Sequence, residues 1–289
     1  WVHGEQAPKR AWFLLDISSP ARTSTSSGVS VLHPFSDRRL MTPRSAWACA
    51  RLWLTERPLL YPFLRSVEAA LGIIHPQSFC DAGTDLCLEG YPACANSFLY
   101  FVFKECATRE LNIAHHTHSV ANVRRALRHE VPTLVVFRAP QDAIPSYLSR
   151  FDKSPLEATR RYVRFYRGIR RRGGQQVLLA SFSDVTSRAG RVVSRVAARS
   201  PLQFDVRPAE TLAERVRQRM NDQWSRQGSS LFNPRDIPLP NDDRSAAKER
   251  ARRAVQQLDA YPEAVREYER IKALRNTSRP EGGPVPYTH

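Results

Sequence analysis

Leu86-Cys87-Leu88-Glu89-Gly90-Tyr91-Pro92-Ala93-Cys94-Ala95-Asn96-Ser97-Phe98 reads as a strand, a turn and the start of a helix. The apolar run Leu86 to Leu88 suits a buried strand, Gly90-Tyr91-Pro92 stops it, and after Asn96-Ser97 a helical stretch runs from Phe98 to Thr108. The alternation continues downstream. Leu111 to Ala114 is a second short strand, Val120 to Arg128 a helix, and Thr133 to Phe137 (T-L-V-V-F) a buried strand. A helix from Asp142 follows, then a helix from Pro155 to Arg172 that Gly173-Gly174 ends, a strand from Gln176 to Ala180 and a helix from Asp184 to Arg199. Strands separated by helices of this length predict an α/β fold: a mainly parallel central sheet flanked by helices in three layers. Ligands of such sheets bind beyond the carboxyl ends of the strands, so the turns after residues 88, 137 and 180 are where a site belongs.

Working outward, residues 1–45 are rich in Ser, Thr, Pro and Arg without apolar periodicity and read as a loose N-terminal extension. Residues 46–275 read as one α/β domain. It opens with helical patterns around Trp47, Leu52 and Trp53 and from Leu59 to Leu71, and closes with helices over Arg244 to Leu258 and Pro262 to Ala273. Residues 276–289 read as a disordered tail.

The chain of 289 residues holds 44 Lys and Arg against 28 Asp and Glu, a net charge of +16. Eighteen basic and six acidic residues lie between 109 and 200, so that third alone carries +12. Charge placed in the folded body rather than in a tail points to an anion site. Five cysteines (Cys49, Cys80, Cys87, Cys94, Cys106) lack the paired spacing of a zinc site and read as reduced thiols in a cytoplasmic protein. The longest apolar stretch, Phe98 to Phe103, is too short to span a bilayer, so a soluble protein is expected.

Three segments carry chemistry. The turn from Glu89 to Leu99 directs backbone N–H groups and a helix N-terminus at one point, which suits a phosphate; an ordinary capped turn has the same sequence appearance. It is not a nucleotide-triphosphate loop, since GxxxxGK[ST] is absent. Asn96 and Ser97 either cap the helix or bond the anion. In the second segment, Arg138 ends a strand and Ser146 lies eight residues on, so a guanidinium fork and a hydroxyl can converge on one phosphate. Asp142 either orients Arg138 or makes a purely structural bridge with it. The third segment is Ala114-His115-His116-Thr117-His118-Ser119, without a carboxylate or cysteine at metal-ligand spacing; the expectation is no metal, with His116 and His118 on one face toward a ligand.

Together these segments resemble the sulfotransferases that use 3′-phosphoadenosine 5′-phosphosulfate (PAPS). That family pairs P-[KR]-S-[GA]-[TN]-[TS]-[WF] with R-x-P-x-D-x-x-x-S roughly 40 residues later. Here the pieces are P-A-C-A-N-S-F and R-A-P-Q-D-A-I-P-S, the second a full match and the first partial, closest to bacterial-type variants that read E-G-[FY]-P-R-S-A-N-[TS]-F. The likeness covers residues 84–204 and includes, from Val177 to Asp184, a degraded form of the family's later strand ending in Y-E-D-L. It implies a P-loop-like fold, a nucleotide-binding loop of Ala93, Cys94, Ala95, Asn96, Ser97 and Phe98 at the 5′-phosphosulfate, and Arg138 with Ser146 at the 3′-phosphate. It implies His118 as general base, with His116 beside it. The substrates so implied are PAPS as sulfuryl donor and a hydroxyl of a small molecule or glycan as acceptor. Arg226 and Gly228 faintly resemble an R-K-G element that completes the 3′-phosphate site.

One departure stands out. The family's basic residue after the loop proline is Ala93 here, and Cys94 replaces the following Ser. Either another cation reaches the site, from His115, His116 or the helix carrying Arg160 to Arg172, or the chain is a catalytically impaired nucleotide-binding relative. Cys94 is either a small buried residue or a thiolate lowered by the helix N-terminus. A nucleic-acid binder using the Arg-rich helix is a further alternative.

Overall fold

The computed structural model describes residues 79–151, 153–173, 176–206, 209–226 and 245–277. The expected extension at 1–45 and the helices expected at 46–71 lie outside the described residues. Helix reaches Thr277, two residues into the expected tail.

Four parallel strands form the sheet: β1 (Leu86–Gly90), β2 (Ile113–His115), β3 (Thr133–Phe137) and β4 (Leu178–Ser181), in the order β2-β1-β3-β4. β1 and β3 are buried along their whole length, which is why both read as runs of apolar residues rather than as alternation. Leu88 pairs with His115 on one side, and Gly90 with Val136 on the other.

Nine helices surround the sheet among the described residues: α1 (Asn96–Cys106), α2 (Val120–Arg128), α3 (Pro140–Leu148), α4 (Pro155–Gly173), α5 (Phe182–Ser187), α6 (Ala189–Ala197), α7 (Ala209–Arg226), α8 (Ser245–Gln256) and α9 (Tyr261–Thr277). α1 packs with α6 and α7, while α2 packs with α4, and α4 with α3 and α9, so helices cover both faces of the sheet. Gly168 in α4 lets α2 come close, since a Cβ there would lie 2.7 Å from Val120 Cγ2.

The single helix expected from Asp184 to Arg199 is two. Ser181 and Asp184 form a capping box that starts α5 at Phe182, and Arg188, at φ −142° and ψ 41°, ends α5 and begins α6. A second local device sits in α3. Pro145 has no N–H to offer Gln141 O, and Arg252 Nε of α8 donates to that carbonyl at 3.3 Å instead.

β1 leads to β2 on one side, and the chain then crosses back over β1 to β3. The connections after β1 and β3 therefore diverge, opening a crevice at the carboxyl ends of these two strands. Gly90 and Phe137 are the last residues of β1 and β3.

Candidate functional site

The loop after β1 forms one wall of the crevice. Ala93 and Ala95 both have left-handed backbones, at φ 63° and 68°, with Cys94 between them outside that region. Each such residue costs an alanine about 1–2 kcal/mol. Alternating handedness turns successive N–H groups to the same side, the arrangement that cradles anions, and α1 follows its N-cap residue Ala95 without a side-chain cap over its first N–H groups.

Buried groups hold this shape. Asn96 Nδ2 donates to Tyr91 O at 3.2 Å. Tyr166 Oη accepts from Tyr91 N at 3.4 Å and donates to Val136 O at 3.0 Å, tying the loop to β3. Tyr91 Oη reaches Ala158 O at 3.2 Å. The Asn96 side chain, expected to cap the helix or meet the anion, is instead 4% exposed and turned to the loop's own carbonyls. Cys94 is fully buried, 3.5 Å from Tyr166 Oη, and burial pushes its thiol up to about 12, so it is the small buried residue and not a thiolate. Phe98 packs against the core. What the loop offers a ligand is therefore backbone N–H and the Ser97 hydroxyl.

Arg138, at the end of β3, spans the crevice: Nη1 donates to Ala93 O at 2.9 Å, and Cζ lies 3.9 Å from the centre of the Phe182 ring. One of five guanidinium donors is used on the loop. Asp142 does not bridge to Arg138 but pairs with Arg252 at 3.3 Å. Ser146 is half-buried in α3, on the helix that leaves the same strand end. Lys248 stands one helical turn before Arg252 on α8; burial and then the Arg138 charge lower its pKa.

The histidine segment forms the facing wall. β2 ends at His115, and His116 and His118 both adopt left-handed backbones, at φ 62° and 50°, so strand alternation does not govern their directions. Both nevertheless turn to the loop. Ser97 Oγ lies 2.8 Å from His116 Nε2, and His118 Nδ1 lies 2.7 Å from Gly90 O. A carbonyl only accepts, so Nδ1 carries the proton and Nε2 is the basic nitrogen. His115 Nδ1 contacts His116 Nδ1. Desolvation, followed by the Arg161 charge, holds His118 well below the usual imidazole value. Desolvation and Arg150 bring His116 to about 4, although that residue keeps an exposed surface. Both rings are neutral at pH 7.

The arginines of α4 divide in two. Arg167 and Arg170 bind Glu263 and the fully buried Glu267 of α9, a structural network and not a wall of the crevice. Arg161 turns the other way, donating from Nη1 to Tyr147 Oη at 3.2 Å, and the Tyr147 ring packs 5.7 Å from that of Tyr91 in the loop. The sequence presents the run from Arg160 to Arg172 only as a whole, as one candidate source of a cation. Helical phase separates Arg161 from Arg167 and Arg170 only once the partners on α9 are known. Nothing in the sequence marked Arg150 or Lys248.

Arg226 is the last residue of α7 and Gly228 lies outside the described residues. Among the described residues there is no group of three or more metal-ligating side chains, and no helix long and apolar enough to cross a membrane. Comparisons of the chain with protein-family models, curated proteins and solved structures find no match.

Proposed function

We propose that the chain is a PAPS-dependent sulfotransferase with a P-loop-like fold, transferring a sulfuryl group to a hydroxyl of a small molecule or glycan. The observation that carries this reading is the Arg138 bridge: the strand end of one motif binds the loop of the other across the crevice between β1 and β3. The donor set fits a polyanionic nucleotide. Left-handed Ala93 and Ala95 give the loop the alternating backbone that suits an anion, Ser97 adds a hydroxyl, and Arg138 and Ser146 stand at the neighbouring strand end.

In this reading His118 is the base. Gly90 O fixes its Nδ1–H, so the Nε2 lone pair accepts the proton of the acceptor hydroxyl as its oxygen attacks sulfur in line and the S–O bond to the 5′-phosphate breaks, with adenosine 3′,5′-bisphosphate as the leaving group. Arg161 and Arg150, whose charges act on His118, supply cations near the site, though not on the loop itself where Ala93 stands. A nucleic-acid reading loses ground because Arg167 and Arg170 are engaged with α9. A nucleotide-binding relative without turnover is the second reading, favoured by Ala93 itself.

Calorimetry with adenosine 3′,5′-bisphosphate tests the assignment. Binding that Arg138→Ala weakens at least tenfold is expected, since charge-assisted hydrogen bonds contribute about 1.5–3 kcal/mol. No binding by the wild type sinks the donor assignment. Binding without transfer to any hydroxyl acceptor selects the second reading.

A further inference from the structure

Glu89 is fully buried at the end of β1, one residue before the loop. A carboxylate placed there needs partners, and its partners come from the histidine segment. Thr117 Oγ1 donates to Glu89 Oε1, and Asn122 Nδ2 donates to the same oxygen at 2.8 Å. Thr117 lies between His116 and His118, the two residues whose left-handed backbones a side chain disfavours. Asn122 lies in the first turn of α2, which Ser119 caps by accepting from Ala121 N at 3.1 Å. Asn122 Oδ1 in turn accepts from Cys80 N at 2.8 Å. The short segment from His116 to Ser119 is thus pinned in its middle and just beyond its end by one carboxylate oxygen. The next residue along β1, Gly90, supplies the carbonyl that takes the His118 Nδ1 proton.

We infer that Glu89 is a positioning residue for His118, acting through Thr117 and Asn122 to hold the strained histidine segment so that Nδ1 meets Gly90 O and Nε2 faces the crevice. Adjacent residues of one rigid central strand thereby hold adjacent residues of the facing wall: Glu89 holds Thr117, and Gly90 holds His118. The clamp defines the tautomer as well as the direction of the ring, because release from Gly90 O removes the preference for a proton on Nδ1. Its catalytic meaning rests on the proposed role of His118 as base.

Imidazole 15N NMR tests the clamp without donor or acceptor, with the His118 signals assigned by their loss in His118→Gln. Wild-type His118 is expected as a neutral ring with the proton on Nδ1. Thr117→Val, close to isosteric, and Glu89→Met, which removes the acceptor, are expected to shift the tautomer ratio toward Nε2–H by about three- to tenfold, the equivalent of one hydrogen bond. Thr117→Ser, which keeps the hydroxyl, is expected to match the wild type. The inference is overturned if wild-type His118 carries its proton on Nε2, or if Thr117→Val folds with an unchanged ratio. It is also overturned if Thr117→Val loses the fold, because a clamp on one loop does not hold the sheet. Failure of the bisphosphate titration with an intact tautomer response would reject the proposed function and leave the clamp standing.

Discussion

Gly90→Ala tests the close approach on which the crevice depends. Gly90 is needed for space, not for a left-handed backbone: a Cβ would lie 2.6 Å from Asn96 Oδ1 and 2.7 Å from Val136 O, where ordinary contact starts at 3.4 Å. Neither neighbour can retreat. Val136 O belongs to the central strand β3, and Asn96 is buried with its amide bonded to Tyr91 O at 3.2 Å. Overpacking of this kind costs about 1–3 kcal/mol, and breaking the Asn96 bond adds about 0.5–1.5 kcal/mol. A loss of about 2–4 kcal/mol lowers Tm by about 5–15 °C in a domain of this size. Thermal melting followed by circular dichroism measures it, with Gly83→Ala as control, whose added Cβ meets only Asp81 Oδ1 at 3.6 Å. In the double variant Gly90→Ala/Asn96→Ala only part of the loss is recovered, because the clash with Val136 O remains. A Gly90→Ala protein melting within about 2 °C of wild type would refute the reasoning, since one kcal/mol already moves Tm by about that much.

Three further outcomes are expected. Desolvation first, and then the Arg150 and Arg161 charges, hold His116 and His118 down, and an anion in the crevice offsets the second cause; the His116 imidazole titration followed by NMR should move up from about 4 when the bisphosphate binds, and an unmoved titration contradicts the placement. The same two histidines refuse protons that the unfolded chain binds near pH 6.5, so their contribution to stability is full above that value and declines as pH falls toward 4; His116→Asn should flatten the slope of Tm against pH, and an unchanged slope counts against it. Glu267, with no exposed surface, binds Arg167, Arg170 and Arg270, and its replacement by Ala removes these charge-assisted bonds while Arg167 and Arg270 keep Glu263; urea unfolding should show a loss of about 1.5–3 kcal/mol, and a loss under about 0.5 kcal/mol would show the network to be incidental.

Much of the fold was legible because periodicity and punctuation agree. Helix α2 and strand β3 fall at the residues read from sequence, since Ser119 caps one and T-L-V-V-F is buried throughout. The break at Arg188 was not legible: the nearest glycine, Gly190, lies inside α6 and not at the break, and the capping box at Ser181 moves the helix start by two residues. At the site, Arg138 was legible as a cation at a strand end, but its hold on Ala93 O depends on the strand order, which no local pattern encodes. Asn96 was misread for a related reason. An Asn at a helix start usually caps it, whereas here Gly90 leaves a space that its amide fills.

The basic surplus of residues 109–200 also divides by destination. Arg109 pairs with Asp85, and Arg167 and Arg170 pair with Glu263 and Glu267, so these arginines serve the fold. Arg138, Arg150 and Arg161 act around the crevice, where each charge bears on the loop or the histidines. Arg161 is set on a long helix with Nη1 tied to Tyr147 Oη at 3.2 Å, so little reorganisation is needed when charge develops nearby. Its position favours anion binding and the neutral form of His118, but it does not reproduce a cation carried on the loop itself. Loss of one preorganised donor at a transition state costs about 100- to 1,000-fold in rate. On the proposed reading, Ala93 therefore separates two properties: affinity for the nucleotide, which depends on Arg138 and the left-handed loop, and the rate of sulfuryl transfer, which depends on how far Arg161 compensates.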